Sequence, residues 1–390
     1  MNSNYELRLY DRTLLSFSLA SDPAIGYTAQ VNNIGEQRSL FPLDLELTGD
    51  GVLKWLEHRV IPKNRAFVEE ILRSFGLVTG DTKGIMDVCK GLSLNDSYWV
   101  VPEGFEGKFS DYNLYENRFS EILSLVAYTG VTQSDAAFST SPEFTTNGML
   151  PKAWRFLENE GIFLYKGGTS GFANTGKEPY CEYYASQVAA TMNLDAVHYD
   201  LDNWKGILAS KCKLFTDIGT AFIPIGRIVR SGGLAAVIKH YDERGGIYAD
   251  AIRDMLVFDA LIYNEDRHFG NFGLLRDNHT GEIVAPAPIF DNGISLFNLA
   301  MPDDYANLDD YAKTRSPVYP GTTFDGICQS FMEARQVEKL RKMLTFSFTR
   351  HPKLNLPEEH LAAIEKHLKK RASQLIGLSK SKEKKMDPFG

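Results

Sequence analysis

The sequence predicts an α+β fold in which strand-rich segments come first and helices dominate the second half. Residues 5–45 carry alternating apolar residues broken by Gly and Asn, a pattern typical of short antiparallel strands. In GVLKWLEHRVIPKNRAFVEEILRSFG, residues 51–76, apolar residues recur three and four apart on both sides of Pro62, which predicts two helices. Helical spacing prevails again after residue 219.

Changes in pattern divide the chain into three predicted units. Residues 1–115 are expected to form an N-terminal α+β subdomain in which no catalytic cluster is visible. Residues 116–218 contain the predicted strands SEILSLVAYTG and GIFLYKGG, then the predicted helix EPYCEYYASQVAATM. That order is typical of a small nucleotide-binding lobe. Residues 219–390 are expected to form a helical lobe, with the break between the lobes near residues 212–226.

Composition restricts the class of protein. With 390 residues, 43% hydrophobic and 24% charged, the chain can form two or three packed units. Four scattered cysteines without a C-x-x-C pair predict neither a disulfide framework nor a zinc site, which favours a reducing cytoplasm. The net charge of -8 argues against direct nucleic-acid binding, because that requires a broad basic face. With neither a long apolar run nor a signal-peptide layout, we expect a cytoplasmic protein with no membrane association.

The stretch GFANTGK, Gly171–Lys177, has all but the last residue of a phosphate-binding P-loop. A working P-loop places Ser or Thr after its lysine, because that hydroxyl binds magnesium. Here the position is Glu178, followed by Pro179. We therefore interpret the glycine run as a flexible connection between a strand and a helix.

A different constellation carries the chemical signal. Asp266 precedes Asn271 by five residues in NEDRHFGNF, the D-x-x-x-x-N interval of a protein-kinase catalytic loop. Asp291 follows in the sequence F-D-N-G, which parallels the D-F-G motif of kinases. Between them, FGLLRDNHTGEIVAP predicts a hairpin that turns at residues 278–281. The hairpin would return Asp291 to the side of Asn271.

Phosphoryl transfer explains why these residue types occur together. Asn271 and Asp291 offer the hard oxygen ligands that hold Mg²⁺ on phosphates, while Asp266 can align an acceptor hydroxyl and take its proton. Lys166, at the end of the predicted strand IFLYK, can reach the phosphates of a nucleotide. Glu182 on the next helix can hold that lysine in place, and Glu178 is an alternative partner for it.

His268 has two interpretations. It can orient the D-x-x-x-x-N loop by hydrogen bonding, or it can take part directly in proton transfer as a catalytic residue. The sequence leaves both roles open.

The motifs NEDRHFGNFGLL and IFDNG, preceded by TTNGMLPKAW, LYKGG and EPYCEYYASQVA, resemble those of the HipA-like serine/threonine kinases, including the CtkA-type proteins. The resemblance is strong from about Phe138 to Phe297. It implies a bilobal protein-kinase-like fold with a small mixed β nucleotide lobe and a helical C-lobe, using ATP and Mg²⁺. Some members are toxins of toxin-antitoxin pairs, with a DNA-binding antitoxin partner and translation factors such as aminoacyl-tRNA synthetases as targets.

Position by position, the resemblance implies that Asp266 is the catalytic aspartate, Asn271 and Asp291 are the metal ligands, and Lys166 is the nucleotide lysine. Phe215, at the expected break between the lobes, is assigned to the nucleotide site as well.

The segment TTNGMLPK matches the phosphate-covering loop of the family, which places Thr145, Thr146, Asn147, Gly148 and Lys152 beside the nucleotide. Thr145 stands where a serine autophosphorylates in some toxins, although both threonines could instead hydrogen-bond a turn. The loop departs from the family at residues 149–151, Met-Leu-Pro, so its closure and regulation can differ.

Two other classes of function remain open from the residues. One is a regulatory module that binds a nucleotide and acts through a partner, although such a module has no need of Asp266 as a base. The other is a lipid or small-molecule kinase, because the same machinery accepts any hydroxyl.

Overall fold

The computed structural model describes residues 2–22, 26–131, 141–172 and 174–386, and it confirms the α+β class. Strands occupy most of the described residues up to Ile34, as the alternating pattern predicts, but this first run of strands ends there rather than near residue 45. The described strands are β1 Asn2–Leu9, β2 Arg12–Asp22, β3 Gly26–Ile34, β4 Tyr98–Pro102, β5 Lys152–Leu157, β6 Gly161–Lys166, β7 Tyr199–Trp204, β8 Ile207–Lys213, β9 Thr220–Pro224, β10 Gly273–Asp277 and β11 Ile283–Pro286.

Helices prevail after residue 224, as predicted. Within the described part of the chain, no helix has the length and hydropathy needed to cross a bilayer. The helices are α1 Gly49–Glu57, α2 Val68–Arg73, α3 Thr82–Cys89, α4 Glu121–Thr129, α5 Glu178–Thr191, α6 Ile225–Ile228, α7 Gly233–Arg244, α8 Gly246–Ile262, α9 Leu308–Ala312, α10 Phe324–Phe331, α11 Ala334–Arg341 and α12 Glu358–Met386.

One predicted strand is a helix. The segment SEILSLVAYTG forms α4 because both of its ends carry helix-capping residues. The Ser120 hydroxyl accepts the Leu123 N–H at 3.1 Å, and Gly130 adopts a left-handed conformation with φ of 71° directly after the last turn. These caps satisfy backbone groups that a strand would leave unpaired here. The apolar run hides helical periodicity because α4 is buried around most of its surface.

The chain forms two compact units, and the first comprises Met1–Lys166, Leu214–Ile223 and Leu274–Val284. Its largest sheet has the order β3-β2-β1-β4, with antiparallel pairing of β1 to both β2 and β4. The alternate residues of β1 and β2 that point inward pack against α1 and form one core. A second core surrounds Trp99 and includes Ile162 of β6.

Two hairpins of the first unit matter for the candidate site. Strands β5 and β6 pair antiparallel from Lys152 opposite Lys166 to Leu157 opposite Gly161. Strands β10 and β11 are neighbours, and Gly281 donates its N–H to the carbonyl of Asp277 at 2.9 Å. The predicted turn at residues 278–281 is therefore confirmed.

The second unit comprises Gly167–Lys213, Pro224–Gly273 and Ala285–Gly390. Its β7–β8 hairpin adjoins α5, and α8 packs with α7, α10, α11 and α12. The C-terminal half of α8 is almost wholly buried, so this helix forms the centre of the unit. The loop that follows α8 carries the D-x-x-x-x-N motif. The boundaries of the three predicted units remain a prediction.

Buried arginines begin and end the stretch RVIPKNR in the first unit. Arg59 is 3% exposed and donates to both carboxylate oxygens of Asp96 at 2.8 Å, to Gly91 O at 2.7 Å and to Tyr98 O at 2.9 Å. A planar guanidinium satisfies several acceptors at once, which an ammonium cannot do. Arg59 thereby fixes the irregular chain between α3 and β4.

Candidate active site

The side chain of Arg267 lies at the centre of the candidate site. It is buried, and its Nε and Nη2 donate to the two carboxylate oxygens of Asp259 on α8 at 2.9 and 3.0 Å. Nη2 also donates to Asn292 Oδ1 at 2.5 Å. Nη1 donates to the backbone carbonyl of Asn271 at 3.2 Å and to that of Phe290. One guanidinium therefore joins α8, the D-x-x-x-x-N loop (residues 266–271) and the F-D-N-G segment (residues 290–293).

Asp259 is the charged counterpart that allows this arginine to be buried. The carboxylate also accepts the Asn264 side chain at 3.1 Å. Burial raises the pKa of Asp259, and the positive charge of Arg267 opposes that rise. Within this pair each charge compensates the other, whereas either partner alone would be a costly buried charge.

The D-x-x-x-x-N loop is closed by its own hydrogen bonds. The carbonyl of Asp266 accepts the His268 N–H at 2.8 Å and the Asn271 side-chain Nδ2 at 2.9 Å. The His268 ring is exposed and accepts the Gly270 N–H at Nδ1, at 3.0 Å. The contact of His268 is thus with the loop itself, as its orienting interpretation expects. Its direct role in proton transfer is untested.

The hydrogen bond from the Asn271 side chain to the Asp266 carbonyl also determines which atom of the amide can bind a cation. Because Nδ2 is turned to the backbone carbonyl of Asp266, Oδ1 is the atom of the amide that can serve as a ligand. Asn271 is buried, whereas the Asp266 and Asp291 side chains are partly exposed. The donor set of one amide and one carboxylate oxygen suits Mg²⁺, which is commonly held by one or two such groups together with phosphate oxygens.

The F-D-N-G segment is fixed on its backbone. Asp291 has a left-handed φ of 57°, a conformation that Asp tolerates better than most residues. Its N–H donates to the hydroxyl of Tyr199 on β7 at 3.1 Å, and the N–H of Asn292 donates to Glu182 Oε2 at 2.7 Å. Burial raises the pKa of Tyr199 far above its ordinary value, so this hydroxyl stays neutral. Successive N–H groups are therefore held by two separate elements.

Gly293 allows α5 to lie close to the F-D-N-G segment. A Cβ atom at this position would meet Glu182 Oε1 at 3.3 Å and Glu178 Cβ at 3.4 Å, tighter than ordinary van der Waals contact. Glu182 is fully buried. Its contact with Asn292 was not foreseen from the sequence, which assigns it to Lys166. The pairing of Glu182 with Lys166 remains a prediction.

Glu178, the alternative partner of Lys166, holds the loop before α5. Its carboxylate accepts the Thr169 hydroxyl at 2.6 Å and the Thr169 N–H at 3.2 Å. The P-loop-like stretch is part of the same connection. Asn174 donates to the carbonyl of Leu299 at 2.9 Å, and Lys177 donates to that of Ala300. Residue 173 of this stretch lies outside the described residues.

In the first unit, Lys152 and Lys166 are directly opposite each other on β5 and β6. Both residues are buried, 7% and 9% exposed. Like charges at paired positions of a hairpin are destabilising. The two lysines therefore bring two positive charges to one position of the hairpin.

Arg65 organises the predicted phosphate-covering loop. Its guanidinium donates to the Glu143 carbonyl at 2.6 Å, the Thr146 carbonyl at 3.1 Å and the Lys152 carbonyl at 3.0 Å, and it pairs with the Glu143 carboxylate. The other carboxylate oxygen of Glu143 accepts the N–H of Trp154 at 2.7 Å. Both members of the ion pair are fully buried. Arg65 thus holds the beginning and the end of the loop together.

Inside this loop, Lys152 Nζ donates to the carbonyl of Asn147 at 2.8 Å. Gly148 has a φ of 98°, and a Cβ atom there would lie 2.1 Å from Lys152 Nζ. The backbone conformation therefore favours glycine, and a side chain here would also displace the Lys152 ammonium from the loop.

The two threonines of the loop make hydrogen bonds to the backbone. The buried Thr145 hydroxyl donates to the Leu92 carbonyl at 2.9 Å. Thr146 donates to the carbonyl of Pro142 at 2.7 Å and accepts from the Trp154 indole at 3.0 Å. In this conformation both hydroxyls also donate to the carbonyl of Pro142, as the turn-forming interpretation of these residues expects. Phe215, also assigned to the nucleotide site, packs edge-on against Phe222 with ring centroids 5.6 Å apart.

The structure thus brings the D-x-x-x-x-N loop and the F-D-N-G segment together within one compact unit. The catalytic, nucleotide-binding and metal-binding roles assigned to individual residues remain predictions. The residues missed by the sequence are the buried organisers Arg65, Glu143, Asp259 and Arg267. Arg267 stands inside the motif NEDRHFGN, but many of the contacts of both arginines are with backbone carbonyls that no sequence pattern identifies.

Comparison with known proteins finds a kinase that is similar to part of this chain. No protein-family model matches the chain. Over 132 residues the chain is 28% identical to the serine/threonine-protein kinase CtkA of Helicobacter pylori, a match that covers 30% of this chain and 40% of that protein. The crystal structure of the H. pylori proinflammatory kinase CtkA is similar with a TM-score of 0.47 and 19% identity, over 60% of this chain and 95% of that one.

The HipA toxin of Shewanella oneidensis, solved with HipB and operator DNA, is similar over almost the whole chain. The TM-score is 0.56 and the identity 12%, over 97% of this chain and 99% of that one. The chain therefore has a HipA-like kinase fold. Together with the sequence match to CtkA, this confirms the expected resemblance to the HipA-like kinases. The first residues of the predicted stretch of resemblance, 138–140, lie outside the described residues.

Replacing Arg267 with lysine tests its role as the organiser of the site. Lysine keeps the charge but cannot reach Asp259, Asn271, Phe290 and Asn292 together, so several buried acceptors lose their partners. We expect Arg267→Lys to lower the free energy of unfolding by about 3 kcal/mol or more. The measurement is denaturant unfolding followed by circular dichroism.

The exposed Arg244 on α7 provides the matched control. We expect Arg244→Lys to change the free energy of unfolding by less than about 0.5 kcal/mol, as surface substitutions usually do. Equal stability of the two variants would contradict the role assigned to Arg267.

Proposed function

We propose that this chain is an ATP-dependent serine/threonine protein kinase that transfers the γ-phosphate of ATP to a protein hydroxyl. The observation that carries the proposal is the guanidinium of Arg267, which binds the carbonyl of Asn271 and the carbonyl that precedes Asp291, while following Asp266 directly in the chain. With the two segments joined in this way, the side chains of Asp266, Asn271 and Asp291 can contribute to one phosphoryl-transfer site.

Each of the three side chains has a separate task. Asp266 aligns the acceptor hydroxyl and takes its proton as the oxygen attacks the phosphorus atom. Asn271, through Oδ1, and Asp291 hold Mg²⁺. When bound, the ion supplies positive charge that offsets the negative charge developing on the phosphate oxygens. The fixed backbone of the F-D-N-G segment keeps Asp291 in place without reorganisation during the reaction.

The paired lysines support binding of the triphosphate. Lys166 and Lys152 supply two positive charges at neighbouring positions of the β5–β6 hairpin. We assign Lys166 to the α and β phosphates, with Glu182 as its orienting partner. We assign Lys152, together with the backbone of residues 145–148, to the covering of the phosphates. Phe215 is assigned to the wall of the nucleotide site.

Autophosphorylation at Thr145 is part of the proposal. In the described conformation its hydroxyl is buried and bonded to the Leu92 carbonyl. A phosphate there would add about -1.5 to -2 charge. Such a group cannot remain in this buried position without a paired cation, so modification would move the loop away from the nucleotide and lower activity.

A toxin role with a DNA-binding antitoxin partner is proposed on the likeness to the HipA chain, which was solved with HipB and its operator DNA. The acceptor would then be a protein of the host, for which a translation factor such as an aminoacyl-tRNA synthetase is our candidate. This part of the proposal rests on the fold alone. It is separable from the kinase activity.

Labelling with radioactive ATP tests the kinase proposal. In the presence of Mg²⁺, the wild-type chain should transfer label to itself or to an added acceptor protein such as casein. Asp266→Asn and Asp291→Asn should each reduce transfer by at least about 10³-fold, because each loses a catalytic or metal-binding carboxylate. Phosphosite mapping should find Thr145 among the labelled residues.

Circular dichroism and thermal unfolding of the same variants provide the control, because both carboxylates are partly exposed and their replacement should leave the fold intact. Full activity in either folded variant would end the assignment. Label elsewhere, with Thr145 unmodified, would remove only the autophosphorylation proposal.

A pair of glycine variants tests which glycine-containing loop binds the nucleotide. Gly148 and Gly171 have nearly the same φ, 98° and 103°, but only at Gly148 would a Cβ atom collide with a side chain, Lys152. We expect Gly148→Ala to weaken Mg-nucleotide binding roughly tenfold, because one charge-assisted contact is displaced. Gly171→Ala carries the same backbone strain and should leave the affinity unchanged. Titration with a fluorescent ATP analogue measures both, and the reverse ranking would support the P-loop interpretation.

Expression in a bacterial host tests the toxin proposal. Induction of the wild-type chain should arrest growth, while Asp266→Asn, expressed to the same level, should not. Growth arrest by both variants would show that any toxicity is independent of phosphoryl transfer. Normal growth with an active kinase would remove the toxin proposal alone.

A further inference from the structure

The segment after α9 contacts the catalytic region at two places. Ser316 N–H donates to Glu265 Oε1 at 3.3 Å, and the Arg315 guanidinium donates through Nη1 to Glu265 Oε2 at 2.8 Å. Glu265 directly precedes Asp266. Further along, the Tyr319 hydroxyl donates to the carbonyl of Arg267 at 2.7 Å. Residues 313–319, which we call the bracing segment, thus hold the chain on both sides of Asp266.

Arg315 links the bracing segment to an exposed threonine. Its Nε and Nη2 lie 3.1 and 3.0 Å from the hydroxyl oxygen of Thr314, on the opposite side from the Nη1 contact with Glu265. The guanidinium also stacks on the ring of Tyr311, 4.6 Å from its centroid. The Thr314 hydroxyl donates to the Tyr311 carbonyl at 2.7 Å. Arg315 therefore presents two donors to Thr314 while a third donor holds Glu265.

We propose that Thr314 is a phosphorylation site whose phosphate fixes Arg315 and thereby activates the enzyme. This inference rests on the proposed kinase function and adds a site of regulation to it. The phosphoryl donor is a nucleoside triphosphate bound to a second copy of this chain. The Thr314 oxygen forms a bond to the γ-phosphorus as the bond from that phosphorus to the β-phosphate oxygen breaks. The hydroxyl proton passes to Asp266 of the second copy, and the nucleoside diphosphate leaves.

The geometry of Arg315 suits a phosphate better than a hydroxyl. The Nε and Nη2 donors form the edge of a guanidinium that binds two oxygens of a phosphate in parallel, and such charge-assisted pairs are roughly twice as strong as neutral hydrogen bonds. A neutral threonine oxygen uses only part of that capacity. Lys313 adds a second positive charge next to Thr314 in the chain, although its ammonium also pairs with Asp310 at 2.6 Å. Because Thr314 is exposed, the phosphate would remain solvated on its outer side.

The effect reaches the catalytic aspartate through two residues. Arg315 and Glu265 are 21% and 24% exposed at their side chains, so water reaches part of their ion pair and leaves the two side chains some conformational freedom. A phosphate that immobilises Arg315 reduces the conformational freedom of this pair. Asp266 would then spend more time in the position that aligns an acceptor hydroxyl.

Transfer from a second copy follows from the same contacts. For Thr314 to enter the active site of its own copy, the bracing segment would have to release Glu265 and the carbonyl of Arg267, the groups that flank Asp266. The act of phosphorylation would then disturb the aspartate that must perform it. An exposed threonine can be offered to another copy while the copy that accepts the phosphate keeps its own bracing segment in place.

The test uses the full chain with Asp266→Asn as the acceptor and tagged wild type as the enzyme, with Mg²⁺ and ATP. We expect phosphosite mapping to find phosphate on Thr314 of the Asp266→Asn chain. In a Thr145→Val background, which cannot take the inhibitory phosphate and is shared by all the variants compared here, we also expect the chain phosphorylated at Thr314 to label casein with a kcat at least roughly fivefold above that of the phosphatase-treated chain, the lower end of ordinary coupling between sites. Thr314→Val should show the basal rate without the increase.

Two further variants separate the mechanism from a general structural effect. Thr345→Val, at another exposed threonine, should respond to preincubation with ATP like wild type. Arg315→Gln should still accept phosphate at Thr314 but should gain no activity from it. An equal gain in Arg315→Gln would overturn the role of Arg315.

The outcomes for this inference and for the kinase function differ. Labelling of casein by wild type, with Thr314 unmodified or with phosphate on Ser316 instead, would overturn this inference and leave the kinase function standing. Absence of transfer to any acceptor would overturn both.

Discussion

The ion pair between Arg267 and Asp259 is the interaction on which the candidate site depends. Burying a guanidinium is costly unless enough acceptors surround it, and here two carbonyls and one amide oxygen complete the set that the charged Asp259 begins. Because those carbonyls belong to irregular segments, the energetic requirement of one side chain determines the path of the backbone.

In the first unit, too, buried arginines fix irregular segments by donating to backbone carbonyls. Arg59 fixes the chain before β4, Arg65 closes the loop before β5, and Arg276 on β10 donates to the carbonyls of Ser39, Phe41 and Gly281. In each case the hydrogen bonds of one planar guanidinium replace the regular backbone hydrogen bonds that a helix or a sheet would supply. Irregular segments thus acquire definite conformations without added secondary structure. Such conformations suit loops that must present backbone groups to a ligand.

Local patterns in the sequence predict the elements that local forces determine. The β10–β11 turn, the strand that ends at Lys166 and the helix α5 follow from turn residues and periodicity. The segment that forms α4 was assigned wrongly, because its apolar residues point in every direction and only its caps distinguish a helix from a strand. The assembly around Arg267 could not be predicted, since its acceptors are carbonyls up to 23 residues away whose positions depend on the whole unit. The D-x-x-x-x-N and F-D-N-G motifs indicate which two segments should lie together, but they do not identify the side chain that joins them.

The close approach at Gly293 has a mechanical consequence. The absence of a side chain at Gly293 lets the backbone lie close to Glu182 and Glu178, and the hydrogen bond from Asn292 to Glu182 attaches this segment to α5. Helix α5 and the carboxylate of Asp291 should consequently travel as one rigid piece. A partner that tilts this helix by a small angle would shift the aspartate with it, and in the proposed kinase this would move a metal ligand.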